Sequence, residues 1–221
     1  MSPALFAYPP NALFGRVLPK NKIYEHAAPS SALKALFVQQ VEQIVWQYKL
    51  APETINLPAK ATVPEIQIFN ISLKTSELNE DVLRCIDQAI PFPIFYQITF
   101  AQRIQIKAAY KRPSEADISK WMVDGYFATE WQAIDSERVP LPLVLDLGAL
   151  YELMLRQLLP LPPRTGESIK AQMERLAQIL SKQNEYRKIE ARLHKERQFN
   201  RKIELNAQLQ LLKTEIFKLE N

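Results

Sequence analysis

A chain of 221 residues with 47% hydrophobic, 24% charged and 10% aromatic side chains has the composition of a folded protein and the length of one domain with an appendage, or of two small domains. A single cysteine, Cys85, excludes an internal disulfide and every multi-cysteine metal pattern. Four glycines leave no G-x-x-x-x-G-K or G-x-G-x-x-G loop to cradle phosphate, and two distant histidines, His26 and His194, give no setting for metal or acyl-transfer chemistry. The formal net charge of +4 is concentrated at one end: residues 164–221 carry 13 Lys+Arg against 8 Asp+Glu, leaving 15 against 16 before them.

The N-terminal stretch to Pro19 is apolar, but Pro3, Pro9 and Pro10 interrupt it and no charged leader precedes it, so no targeting segment is expected. Ser30 or Ser31 caps a predicted helix whose apolar positions Leu33, Leu36, Phe37, Val41, Ile44, Val45 and Tyr48 repeat at three- and four-residue spacing as far as Pro52. Between apolar anchors, the turn at 48–57 gathers Lys49, Glu53, Thr54 and Asn56. This is a candidate polar site, although Thr54 and Asn56 equally suit helix termination. Residues 65–73 read as a β-strand whose apolar parity switches at Phe69, implying a bulge or cover on both faces. Asn79 then caps a short helix with Glu80 and Asp81 in its first turn, Val82, Leu83, Ile86 and Ile90 inward, and Pro91 beyond.

Residues 94–100 and 104–110 form a predicted hairpin about a turn at Ala101–Arg103, and another strand is expected around 125–131. Short turns between successive strands favour an antiparallel sheet. Gln105 and Lys107 share one face of the second hairpin strand, the spacing at which metal-dependent nucleases place a polar ligand and a lysine. The match is a Q-x-K triplet alone, and an exposed polar strand face explains it as well. Lys111 and Arg112 fall just past that strand, as phosphate contacts or as its solvated end. Asp146 caps an amphipathic helix with Leu147, Leu150, Tyr151, Met154, Leu155 and Leu158 on one face and Pro160 ending it. The apolar run 139–163 is interrupted by Asp146, Glu152, Arg156 and five prolines, so it does not read as a membrane span, and a cytoplasmic protein is expected.

After the linker 160–166, residues 167–220 contain no Gly or Pro and are rich in helix formers. Leu205, Leu209, Leu212, Ile216 and Leu219 form a four-three helix-packing seam that needs a partner: the body, the first part of the tail, or a second copy of the chain. One long helix and a fold-back near residues 198–200 both satisfy the pattern. Between 182 and 202 eight cations face three glutamates. Lys188, Arg192, Lys195, Arg197, Arg201 and Lys202 are the candidate contacts for nucleic-acid phosphates or an acidic protein surface, and the same charges also suit a plain solvated helix.

These readings combine into an α+β body, residues 1–161, with a small, mostly antiparallel sheet and packed helices, followed by a basic helical arm, residues 162–221, built as a hairpin or coiled coil. No catalytic residue, metal or cofactor is assigned. The candidate polar site comprises Lys49, Glu53, Asn56 and Lys111. Several segments together, Leu18–Ile23, 48–57, Glu65–Phe69, Ala109–Lys111, Thr129–Trp131, Leu145–Leu147, Arg164–Glu167 and Gln198–Lys202, resemble the bacterial family of domain of unknown function 4391. That resemblance implies a setting beside helicases and DNA methyltransferases of restriction-like phage-defence loci. The expected function is a non-enzymatic accessory or adaptor subunit binding a protein partner, DNA or both, with a homodimer through the arm as a further option. A metal-dependent nuclease built on Gln105 and Lys107 is the alternative.

Overall fold

The computed structural model describes residues 5–114, 117 and 121–221; the first four residues of the apolar N-terminal stretch lie outside them. The chain divides into two compact units, 1–159 and 160–221.

In the first unit β1 (Leu5–Ala7), β2 (Leu13–Val17), α1 (Lys20–Ala27), α2 (Ser31–Gln40), β3 (Val41–Leu50), α3 (Pro52–Ile55), β4 (Ile66–Leu73), α4 (Glu80–Ala89), β5 (Ile94–Phe100), β6 (Arg103–Pro113), β7 (Trp121–Ala128), β8 (Gln132–Ala133), β9 (Arg138–Pro140) and α5 (Leu147–Arg156) follow in order. The main sheet runs β2-β3-β4-β5-β6-β7, with β8 added on β6, and β1 pairs β9 separately. Its pairings are antiparallel except β4 with β5, which α4 joins as a parallel crossover. The fold is therefore α+β with a mostly antiparallel sheet.

The helix expected to continue to Pro52 ends at Gln40, and Val41–Leu50 is a strand in the sheet. Ser30 does cap α2, its hydroxyl accepting from the Leu33 amide. The β-branched and aromatic residues Val41, Ile44, Val45, Trp46 and Tyr48 then prefer the pleated surface, and the segment pairs with β4 from Val41 to Leu50 and with β2 at Val45, Trp46 and Tyr48. Lys20 and Lys74 stop the helix, their ammonium groups donating to the carbonyls of Phe37 and Val41 and of Val38.

β4 is buried on both faces, which accounts for the parity switch at Phe69. On one face Ile23, Phe37, Phe69, Ile71, Leu83, Ile86, Tyr96 and Ile98 belong to a single core beneath α1, α2 and α4. On the other, Phe95 meets Tyr151 of α5 with ring centroids 6.0 Å apart. The β5–β6 turn is made by Ala101 and Gln102, both at positive φ (45° and 62°), a hairpin geometry that glycine or asparagine adopts more readily.

The β6–β7 pairing shifts register between Ala109 and Lys111, with the extra residue in β7. The Tyr151 hydroxyl bonds two backbone groups of β6, accepting from the Lys111 amide at 2.7 Å and donating to the Ala109 carbonyl at 3.1 Å. One side chain of α5 thus satisfies an amide and a carbonyl of a central strand.

The second unit is a helical hairpin. α6 (Ile169–Lys195) and α7 (Phe199–Glu220) fold back through a three-residue turn. Leu205, Leu209 and Leu212 of the predicted seam pack on Tyr186, Ile189 and Leu193, while Ile216 and Leu219 are half-buried. The Glu196 carboxylate forms the turn by accepting from the amides of Arg197 (2.8 Å) and Gln198 (2.9 Å). Lys182 and Glu215 bridge the helices midway at 2.7 Å.

At the open end, Arg175 donates to the carbonyls of Leu219 and Pro162 and pairs with Glu167 at 2.7 Å, and Arg164 donates to the carbonyls of Lys218 and Leu219. Two guanidinium groups therefore sit on the negative end of α7. The Arg175 fork holds the Glu167 carboxyl down at about 2, against 4.5 ordinarily. A depressed carboxylate pKa stabilises the fold fully above about 4.5, and that contribution disappears as pH falls toward 2. The protection factors of the last turn of α7, which remove the intrinsic pH dependence of amide exchange, should fall as pH drops through this window in the full chain, whereas Glu167→Gln should be less protected at neutral pH and lose most of that pH dependence.

Candidate functional site

Alternation along β6 places Gln105, Lys107, Ala109 and Lys111 on the face toward α4, and each polar member has a defined partner. The Gln105 amide donates to the Thr129 carbonyl at 2.8 Å. Thr129 also accepts from the Ile106 amide through its hydroxyl, fixing the chain just past β7 against β6. Lys107 pairs with Glu80 in the first turn of α4 at 2.7 Å and lies over the Tyr126 ring at 5.8 Å.

Lys111 belongs to the interior of β6 and is 1% exposed, which corrects the expectation of a solvated strand end. The strand runs on to Pro113, so residue 111 falls beneath the C-terminus of α4. Its ammonium donates to the Asp87 carbonyl at 2.7 Å, to the Ile90 carbonyl, and to the Asp87 carboxylate at 3.2 Å. The second Asp87 oxygen accepts from the Tyr126 hydroxyl, and the Tyr96 hydroxyl donates to the Leu83 carbonyl at 3.4 Å. Burial pushes the Asp87 carboxyl up and the Lys111 ammonium down, with their mutual attraction opposing both shifts. The tyrosines are pushed up by burial and by the carboxylate beside them.

The other members of the candidate polar site lie elsewhere. Lys49 pairs with Glu53 at 2.7 Å and with Glu65 at 3.3 Å, next to a Gln67–Glu65 hydrogen bond. Thr54 closes the turn by donating to the Lys49 carbonyl and accepting from the Ala51 amide. Asn56 ends α3 in the left-handed region at φ 54°, so residues 51–56 perform helix termination. β4 and β5 separate this turn on β3 from Lys111 on β6, and the four residues do not form one site. Among the described residues, no three His, Cys, Asp or Glu side chains gather in an arrangement that could hold a metal ion.

The hairpin does bring the basic residues to one end. Arg192 and Lys195 close α6, Arg201 and Lys202 open α7, and Arg197 lies in the turn between them. All six cations, Lys188 included, are exposed. Arg192, Lys195 and Arg201 line a groove of about 360 Å³ with Glu196 and Glu204. Sequence pattern supplied the charges, and the fold-back supplied the convergence across two helices.

The Asp87–Lys111 pair generates a stability prediction. Lys111→Met leaves a buried carboxylate and two helix carbonyls without their donor, which should destabilise the protein by about 3–5 kcal/mol in denaturant unfolding. Adding Asp87→Asn should restore part of that loss, because the amide keeps a partner in Tyr126 without a net charge. A Lys111→Met variant of unchanged stability would separate this lysine from the architecture.

No curated protein and no solved structure matches the chain. Residues 6–216 match the family model described as a domain of unknown function (DUF4391), a span taking in both the sheet unit and the hairpin arm, and the chain belongs to that family.

Proposed function

We propose that the chain is a non-enzymatic accessory or adaptor subunit whose hairpin arm docks on DNA through its basic end. The observation that carries this reading is the gathering of six exposed cations at one end of a two-helix arm. Among the described residues none of the six makes an ion pair within the chain; Glu196 is near enough to Arg201 and Lys202 for its carboxyl to be lowered by them, after the larger effect of the turn amides. An array of unpaired cations on rigid helices attracts phosphates without reading sequence. The body supports a scaffold role, because Gln105, Lys107 and Lys111 bind α4 and the chain beyond β7 to the sheet. A place beside a helicase or methyltransferase in a phage-defence system is the part of the proposal that rests on the family resemblance.

Duplex DNA binding should weaken steeply with salt and show little sequence preference. Replacing Lys188, Arg192 and Lys195 together by Gln should reduce the log–log salt slope by about two to three, at roughly 0.9 for each phosphate no longer neutralised. Binding absent at low salt, or untouched by the triple replacement, would remove DNA and leave an acidic protein surface as the arm's partner.

The nuclease alternative keeps one observation in its favour: Gln105 and Lys107 share a face with Lys111, which contacts Asp87. Incubation with plasmid DNA and magnesium or manganese should leave the plasmid intact. Cleavage abolished by Lys107→Ala in a folded variant would replace the adaptor reading.

A further inference from the structure

The body carries a second surface feature, independent of the arm. Residues 141–146 join β9 to α5, and within them Leu143 is 102% and Leu145 87% exposed, while Val144 between them is half-buried. Exposure thus alternates from Leu143 to Leu145, as it does along an extended segment, and the chain bends at Leu145–Asp146 before α5 begins. Pro140 and Pro142 fix their own φ and bias Val139 and Leu141 toward extended backbone.

The segment is held at both ends. β9 lies in parallel register on β1, with Val139 opposite Phe6 and Pro140 opposite Ala7. At the other end Asp146 caps α5 by accepting from the Ala149 amide at 2.9 Å and pairs with Lys60 at 3.3 Å, and the Leu147 amide donates to the Pro58 carbonyl at 3.0 Å. The amides of Leu143, Val144 and Leu145 make no hydrogen bond to other described residues. Two leucines are thus held in solvent on an anchored segment whose backbone donors are open.

We propose that residues 141–145 dock on a protein partner by adding as a short edge strand to its sheet, with Leu143 and Leu145 entering two neighbouring apolar pockets. The charge around the segment selects this occupant: residues 130–146 hold Glu130, Asp135 and Glu137 against Arg138, with Asp146 paired by Lys60. An acidic border opposes anionic lipid and nucleic acid and matches a pocket with a basic rim. A second copy is a poor receptor at its own β2 edge, where the register shifts between Leu13 and Arg16 and Gly15 stands at φ 61°, a bulge of the kind that blocks strand addition.

In purified full-length protein, Leu143→Asp with Leu145→Asp should leave the melting temperature unchanged. A clear fall would show that the leucines serve this fold and would overturn the proposal. In the cells that make the protein, p-benzoylphenylalanine in place of Leu143 should give an adduct with one protein species, its cross-linked peptide mapping to a sheet edge. Leu145→Asp should reduce that adduct roughly tenfold, as loss of about 1.4 kcal/mol of binding requires, and Lys188, Arg192 and Lys195 changed to Gln should leave it intact. Adducts confined to a second copy of the chain, flotation of the purified protein on phosphatidylcholine vesicles, or no adduct at all would each overturn it.

Discussion

A lysine inside a sheet determines how the body is assembled. Lys111 reaches from β6 to the C-terminus of α4, satisfies two carbonyls there, and meets the carboxylate of Asp87, whose other oxygen is held by Tyr126 on β7. Two strands and a helix are fixed by one cluster that tolerates little displacement, because any relaxation leaves a charge or a carbonyl unpartnered away from water. The backbone of β6 at Ala109 and Lys111 is then bonded from the opposite side of the sheet by Tyr151. Both faces of the body are therefore referenced to the same three residues of one strand, Ala109 to Lys111.

This cluster was hidden in the sequence for a physical reason. Lys111 has the same parity as Gln105 and Lys107, but a cation near the end of an apolar run reads as the point where a strand meets solvent. Only the return of α4 over that point supplies the carbonyls and the carboxylate that make burial tolerable. Asp87, four residues after Leu83 and three before Ile90, shares the inward face of its helix, but nothing local names the cation that meets it there. The continuation of α2 into β3 was unreadable in a related way. Phe37, Val41, Ile44 and Tyr48 fit a helical spacing, while their β-branched and aromatic character fits a strand, and pairing of the whole segment with β4 settles the competition. By contrast, the caps at Ser30, Asn79 and Asp146 and the inward face of α5 depend on local chemistry and were legible from the residues alone.

The arm shows where local pattern stops being sufficient. Its helicity and its leucine seam follow from composition and spacing, but the fold-back contains no glycine or proline. A glutamate side chain replaces the missing turn residue by accepting from two successive amides. Once α6 occupies the seam, the exposed apolar residues of α7, Phe199, Ile203, Leu211 and Phe217, are left on surfaces the seam does not use. Self-association through the arm would have to use these residues.

The basic end of the hairpin is also where the fold works against itself. Arg192 and Lys195 stand at the negative end of α6, where the helix favours them. Arg201 and Lys202 occupy the opening of α7, where the helix favours acids, and no acidic residue is present in that first turn. Glu196 from the turn is the local compensation, and one carboxylate serves two amides and two cations. Stability alone would place the cations of the second helix near its other end, where Arg164 and Arg175 already cap the carbonyls. A sequence that is consistent elsewhere and breaks a local rule at one surface is expected to do so where a ligand supplies the missing charge, and an anion drawn to the opening of α7 and the cations beside it would relieve the repulsion that the hairpin leaves unresolved.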